Sequence, residues 1–375
     1  VIKLRGTARR ADADDSEKDG GVDLDDHEWG PAGIHDHITD AMADPDPVRL
    51  APDLVCLRFE VMKVRSALGA VRQLLDTGRI RRGDTLVDSS SGIYALALAL
   101  ACHRYGMRCH IVGSATVEET LGVQLEILGA TLERMPPSSD LKLDQARRVD
   151  RITRLLAEHP RYHWMRQYHD PIHYHGYAEV AAGLHRRLPA GPVTLVGGIG
   201  TGASTGAMAE GLRAAGREVL SIGIQPFGSR TFGAEHTEDP DMIIAGIGSS
   251  IEFANVRHEL YHRIHWVGFS YARAGAIGLL RDGAIFAGLS SGAAYLVSRW
   301  ERCREPGRTV VFLAPDTGHR YVAAAYAGHR DVPAIDGLAP LAVRQPDELA
   351  PPWSVADWTG PLAERVRLAR AGGAA

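Results

Sequence analysis

Around residue 90 the chain changes pattern abruptly. The short apolar run T-L-V-D is followed by S-S-S-G and then by I-Y-A-L-A-L-A-L-A-C, which predicts a strand, a polar turn and a buried helix. The alternation recurs downstream. C-H-I-V-G precedes V-E-E-T-L-G-V-Q-L-E-I-L-G, V-T-L-V-G-G precedes T-G-A-M-A-E-G-L-R-A-A-G, and V-L-S-I-G-I and T-V-V-F-L-A add two further strands. Strands alternating with helices indicate an α/β fold with largely parallel sheets, in which ligands bind at the carboxyl ends of the strands. The loops that follow strands are therefore where chemistry is expected.

The two ends read differently from this middle. Residues 1–45 are rich in Asp, Gly and Arg with few periodic apolar positions, and are expected to form a flexible leader. From about residue 335 come Pro-rich turns (A-P-P-W) and the amphipathic L-A-E-R-V-R-L-A-R, expected to pack as a terminal helix. This divides the chain into a leader, a main unit over 46–335 and a C-terminal extension over 336–375. At 375 residues the chain exceeds the usual single-core size, so two lobes are expected.

Composition narrows the classes. With 45% hydrophobic and 23% charged residues and a formal charge of -4, nothing favours nucleic acid. The longest apolar run, residues 95–102, is far below the roughly 20 residues a bilayer span requires, so no membrane partner is expected. Cys56, Cys102, Cys109 and Cys303 form no C-x-x-C pair and the first residues lack an apolar signal core, which fits a reduced cytoplasmic setting. Lysine occurs only at Lys3, Lys18, Lys63 and Lys142 among the 42 basic residues, so a lysine in an apolar setting needs explaining.

Four segments carry candidate chemistry. In the first, Ser89, Ser90, Ser91 and Gly92 bring hydroxyls and free N–H groups to the positive end of a helix, either as a small-anion site or as a helix cap worth about 1 kcal/mol. The second, G-G-I-G-T-G-A-S-T-G over 197–206, suits a phosphate, with Thr201, Ser204 and Thr205 as added donors. It also satisfies the dinucleotide pattern through Gly198, Gly200 and Ala203, but Gln225 stands where that reading wants an acid. The third, A-G-L-S-S-G-A over 287–293, matches a nucleophile elbow at Gly288, Ser290 and Gly292, with Asp316 and His319 following in hydrolase order. Those two lie in one turn, whereas triad partners normally occupy separate loops. The fourth is Lys63, flanked by Val61, Met62 and Val64 just before a helix expected to start near Ser66; burial lowers a lysine pKa and exposes a nucleophilic amine suited to a Schiff base. His169, His173 and His175 with Asp170 are conceivable metal ligands, but without a Cys partner or an H-E-x-x-H helix the reading is satisfied imidazoles and no metal.

A reactive lysine, a carboxylate-sized turn, a phosphate-sized glycine loop and a late serine loop, in this order, resemble the cysteine synthase family of fold-type II pyridoxal-phosphate enzymes. The resemblance covers about residues 50–325. V-M-K-V-R is similar to the family's S-V-K-D-R, S-S-G-I-Y-A to T-S-G-N-T-G, Q-Y-H-D-P to Q-F-x-N-P, G-I-G-T-G-A-S to G-V-G-T-G-G-T, G-L-S-S-G-A to G-I-S-S-G-A, and A-P-D-T-G-H-R-Y to L-P-D-S-G-E-R-Y.

The resemblance implies a two-lobed, tryptophan synthase β-like α/β architecture with a smaller lobe over about 88–185, pyridoxal 5'-phosphate as cofactor, and a homodimer. It implies Lys63 as the Schiff-base and catalytic lysine, phosphate contacts from Gly200, Thr201, Gly202, Ala203 and Ser204, and Ser290 at the pyridine nitrogen. Substrate contacts fall to Ser90, Ser91, Gly92, Ile93, Tyr94 and Gln167, and Arg230 is an anchor for an anionic leaving group or nucleophile. The main departure is Ile93, where the family has an asparagine bonded to the cofactor's phenolic oxygen; Tyr94 also replaces a small threonine. The implied reaction is β-replacement on O-acetyl- or O-phospho-L-serine by sulfide or thiosulfate, giving L-cysteine or, as in an S-sulfocysteine synthase-type member, S-sulfocysteine. The alternatives are a 2,3-diaminopropionate-type synthase with an amine donor, a non-catalytic cofactor-binding relative, and a hydrolase using Ser290.

Overall fold

The computed structural model describes residues 34–137, 141–239, 246–360 and 362–366. Most of the leader, Lys3, Lys18, the side chain of Lys142 and the last residues of the expected terminal helix lie outside them. In chain order the elements are α1 (Ile38–Ala43), β1 (Asp46–Ala51), β2 (Leu54–Arg58), α2 (Lys63–Asp76), β3 (Thr85–Ser89), α3 (Ile93–Tyr105), β4 (Arg108–Gly113), α4 (Glu119–Ile127), β5 (Thr131–Arg134), α5 (Leu141–Glu158) and β6 (Tyr162–Trp164). A 3-10 segment (Pro171–Tyr177) leads to α6 (Ala178–Arg187), β7 (Val193–Gly198), α7 (Ala203–Ala214), β8 (Val219–Gln225), β9 (Arg263–Val267), α8 (Phe269–Gly283), α9 (Leu289–Arg304), β10 (Thr309–Ala314), β11 (Leu341–Ala342) and β12 (Trp353–Asp357).

The strands form two sheets. The larger runs β1-β2-β10-β7-β8-β9-β12-β11, and the smaller runs β5-β4-β3-β6. Every pair in the smaller sheet is parallel, as are the central pairs of the larger one; β1 on β2 and β12 on β9 are antiparallel. This is the α/β class expected, and it explains why the strands read as continuous rather than alternating apolar runs. All five residues of β3 and all five of β9 are buried, because helices cover both faces of a parallel sheet. For the same reason α3 is apolar almost all round. Among the described residues no helix is long and apolar enough to cross a membrane.

Two sequence expectations shift. Helix α2 starts at Lys63, ahead of Ser66, because Val61 forms an isolated bridge with Asp316 and Met62 N–H donates to the Pro315 carbonyl at 2.9 Å, which fixes the chain direction just before the lysine. At the other end, residues 362–366 are helical with Leu362, Ala363 and Val366 buried, and β12 adds to the sheet through Trp353, whose indole N–H donates to His265 Nδ1 at 3.0 Å.

Helix α2 lies against the 3-10 segment so closely that both contact points are glycine. A Cβ on Gly69 would stand 2.4 Å from Gly176 Cα, and one on Gly176 would stand 2.0 Å from the Arg65 carbonyl oxygen. Backbone cannot yield as a flexible side chain does. Gly176→Ala is therefore expected to lower stability by about 1–3 kcal/mol, read as a lower urea midpoint at unchanged slope; an unshifted midpoint would show that the helix has room to move.

Candidate active site

The carboxyl ends of β2, β10 and β7, neighbours in the larger sheet, deliver Lys63, the 314–317 loop and the glycine loop to one region. Phe59 N–H donates to the Ala314 carbonyl at 2.9 Å, and Ala287 bridges Thr317, which brings the late serine loop alongside. Ser290, second residue of α9 and buried, lies close to the glycine loop: a Cβ on Gly198 would stand 4.0 Å from its own. In the smaller sheet, β3 and β6 end side by side in the Ser89–Ser91 turn and the Gln167 segment. Gln167 Nε2 donates to the Ser89 carbonyl at 3.0 Å.

Asn255 joins the two sets of loops. Its Nδ2 donates to the carbonyls of Gln167 and Asp170, both at 2.9 Å, and its backbone N–H to that of Tyr168 at 3.1 Å. On the other side a Cβ on Gly202 would come within 3.0 Å of the Asn255 carbonyl oxygen, which also accepts from the Tyr174 hydroxyl at 2.6 Å. Phe253 stacks on Tyr168 with ring centroids 4.2 Å apart.

Lys63 opens α2 with its amine in a desolvated setting and no hydrogen bond or ion pair among the described residues. Burial pulls its pKa down to about 8, opposed by the charge of Asp88. Asp88 is itself buried and pushed up to about 6 by desolvation, against the hydrogen bonds that favour its ionised form. His173, also near the lysine, is held neutral: burial takes its pKa down to about 4, while its ring nitrogens meet Ser66 Oγ at 3.1 Å and the Met165 carbonyl at 2.9 Å.

The glycine loop has the geometry of an anion cradle. A Cβ on Gly200 would stand 2.4 Å from the Gly246 carbonyl oxygen, and Gly202 has a φ of +82°, so neither position takes a side chain without strain. Helix α7 begins at Ala203, which leaves the N–H groups of Ser204 and Thr205 without carbonyls one turn earlier. Thr201 Oγ1 already accepts from Ala203 N–H at 3.5 Å.

The remaining expected residues divide. Ser91 Oγ accepts from Ser114 N–H at 2.8 Å and from Arg148 at 3.5 Å, and Ser90 Oγ from Gly92 N–H at 3.4 Å, so hydroxyls and the α3 N-terminus stay together. Tyr94 turns into the core with its ring edge-on to His173 and its hydroxyl unpartnered among the described residues. Ile93 packs on the apolar cluster under α3 and lines a cleft of about 590 Å³ with Leu96, Leu121 and Asp316. Arg230 pairs with Glu252 at 3.4 Å, next to Phe253. No relay joins the hydrolase candidates: His319 bonds Thr317 at 3.0 Å, and the Asp316 carboxylate accepts from Tyr321 at 3.2 Å.

Comparison with known proteins shows the family of the chain. The model of the family described as "Pyridoxal-phosphate dependent enzyme" matches residues 58–316. The chain belongs to the pyridoxal-phosphate-dependent enzymes. Within that family its relatives place it in the fold-type II cysteine synthase group. The enzyme is 31% identical over 273 residues, 71% of this chain and 78% of the relative, to an N-(2-amino-2-carboxyethyl)-L-glutamate synthase of Ralstonia nicotianae. It is 26% identical to a cysteine synthase of Staphylococcus aureus over 70% of this chain and 83% of that one. A crystal structure of O-ureido-L-serine synthase superposes with a TM-score of 0.68 at 23% identity, covering 79% of this chain and 96% of the other, which shows the shared fold. The enzyme is of the β-replacement type.

Its own residues fit the cofactor. A cradle closed to any side chain at Gly200 and Gly202 suits a phosphate, and a desolvated amine without a hydrogen bond suits a Schiff base. Three residues of this region escape a reading of the sequence: Asp88, Asn255 and Arg148. Asp88 had a signal, an acid at a strand's carboxyl end directly before the serine turn. Asn255 and Arg148 had none, since their partners are remote in the chain.

Because the Lys63 pKa is depressed on folding, the unfolded state binds more protons between about pH 8 and 10.5, and stability contributed by this group rises across that window. The cofactor-free enzyme is expected to gain on the order of 1–3 kcal/mol over Lys63→Met as pH rises through it. Parallel urea-unfolding curves for the two at pH 8 and pH 10 measure this, and a constant difference would refute it.

Proposed function

We propose that the enzyme replaces the O-linked leaving group of an activated L-serine, phospho or acetyl, with the amine of an anionic amino acid. The observation that carries this reading is Arg148, whose guanidinium reaches Ser91 in the substrate turn and acts electrostatically on Tyr168 beside Gln167. A fixed cation over that turn favours a phosphate or a carboxylate-rich co-substrate over a small uncharged one. The name of the Ralstonia nicotianae relative describes a glutamate nitrogen bonded to an aminocarboxyethyl group, the kind of bond such a replacement would form. The second reading, a sulfur nucleophile giving cysteine or S-sulfocysteine, is favoured by the cysteine synthase relative.

Bound pyridoxal phosphate supplies an electrophilic carbon for amines and a ring that stores the electron pair released at Cα. The geometry supports the following roles for the chain. Gly200, Thr201, Gly202, Ala203 and Ser204 would hold the phosphate, and Ser290 would serve the ring nitrogen. Ser90, Ser91 and Gly92, with the α3 N-terminus and Gln167, bind the substrate α-carboxylate. Lys63 Nζ takes the proton from Cα, a task for which a pKa near 8 is better suited than that of an ordinary lysine. The stacked rings of Tyr168 and Phe253 border the Gln167 segment. Ile93 offers no hydrogen bond at its position, so any contact to the cofactor's phenolic oxygen comes from another group. The homodimer and the cytoplasmic setting implied by the resemblance belong to the same proposal.

Purified enzyme given O-phospho- or O-acetyl-L-serine is expected to form a product with L-glutamate, read by mass, faster than with sulfide or thiosulfate. Turnover with a sulfur nucleophile alone would replace this reading with the second. Arg148→Ala is expected to raise KM for the anionic co-substrate by about tenfold or more, the scale of a lost charge-assisted contact, with a smaller change in kcat. Lys63→Ala should lose both turnover and the visible absorption of the bound cofactor.

A further inference from the structure

Asp88, the penultimate residue of β3, is 1% exposed, yet its carboxylate is fully engaged. Oδ1 accepts from Ser89 N–H at 2.8 Å and from the Trp164 indole N–H at 3.1 Å, and Oδ2 accepts from Gln167 N–H at 3.0 Å. These donors come from the substrate turn, from β6 and from the segment after it. Between Trp164 and Gln167 the chain passes through Arg166 at a φ of +51°, a left-handed conformation costly for a residue other than glycine. The Gln167 N–H follows that turn directly, so the carboxylate secures it from the far side. Gln167 then returns its own amide to the Ser89 carbonyl, and the ring of contacts closes.

The same carboxylate is the counter-charge of Lys63. It lies outside ion-pair distance but within electrostatic reach. The other titratable group facing the lysine is His173, from the 3-10 segment, which is neutral and spends both nitrogens elsewhere. Around Asp88 stand Lys63, Tyr94 from α3 and Tyr168, and both phenols are kept protonated by burial. Asp88 is thus the one anion poised to offset an ammonium at Lys63 among the described groups.

We propose that Asp88 is a positioning residue of the reaction: it holds the Gln167 turn against the substrate turn and stabilises the ammonium formed when Lys63 takes the α-proton. The inference rests on the reading of Lys63 as the base. In the step concerned the Cα–H bond breaks, its electron pair stays with the substrate, and the N–H bond forms on Lys63 Nζ, which gains a positive charge while Asp88 remains ionised. Without the carboxylate the ammonium would be desolvated and unopposed, and the lysine a weaker base.

The test uses the cofactor-loaded enzyme and its best substrate pair. Asp88→Asn is expected to retain the visible absorption of the cofactor, to lower kcat by about tenfold and to move the acid limb of the kcat–pH profile down by about one unit. Asp88→Glu keeps the charge but displaces the oxygens; it is expected to leave the limb in place and raise KM for the amino-acid substrate. An Asp88→Asn enzyme with an unmoved limb and unchanged kcat would overturn the inference, as would an Asp88→Glu enzyme whose limb moves as far as that of the asparagine variant. If Asp88→Asn fails to fold, the glutamate variant's limb and KM decide alone. Failure of the underlying reading looks different: Lys63→Ala would then turn over as the unaltered enzyme does.

Discussion

The burial of one ammonium group governs much of this structure. Lys63 begins a helix whose other early residues, Val64, Ala67 and Leu68, are core, and its amine sits in a desolvated setting. Desolvation makes the charged form expensive, and the helix N-terminus adds an unfavourable field. The surroundings offset its charge only in part. A carboxylate stands outside ion-pair distance, and the His173 imidazole is held neutral. A direct ion pair would have held the amine protonated and unreactive.

Placing other groups around that amine requires two sheets. A single parallel sheet offers loops along one edge, whereas here loops from two sheets are joined by hydrogen bonds and a close backbone approach. The larger sheet supplies the amine, the glycine cradle and Ser290, and the smaller supplies the serine turn and Gln167. Asn255 ties the sets together with three hydrogen bonds to the Gln167–Asp170 segment while its carbonyl abuts Gly202. The Gly69–Gly176 contact does the same for α2. Each tie spans parts of the chain far apart in sequence, so these contacts exist only once both sheets have formed.

Legibility in the sequence follows from range. The strand–turn–helix junctions were readable because their chemistry is local: hydroxyls, glycines and a helix N-terminus lie within a few residues of one another. The order of four such segments then carried the family resemblance, although the lysine segment and Ile93 both depart from its pattern. Other features were hidden by distance. Asp88 bonds Gln167 across 79 residues and Asn255 bonds the same segment across 88, and neither has a periodicity or motif to announce it. The start of α2 was misplaced because the bridge between Val61 and Asp316 sets it. Ser290, Asp316 and His319 had the order of a hydrolase triad, but order says nothing about which way an imidazole faces, and here it faces Thr317.

The sequence by itself determined the α/β class and singled out the candidate loops and the candidate lysine, because burial patterns, turn residues and the scarcity of lysine are properties of short windows. Only the tertiary structure decided the state of that lysine and the company it keeps. A pKa depends on desolvation and on charges a few ångströms away in space, and those are supplied by Asp88, His173 and the packed helices around them, none of which the local sequence of V-M-K-V-R contains.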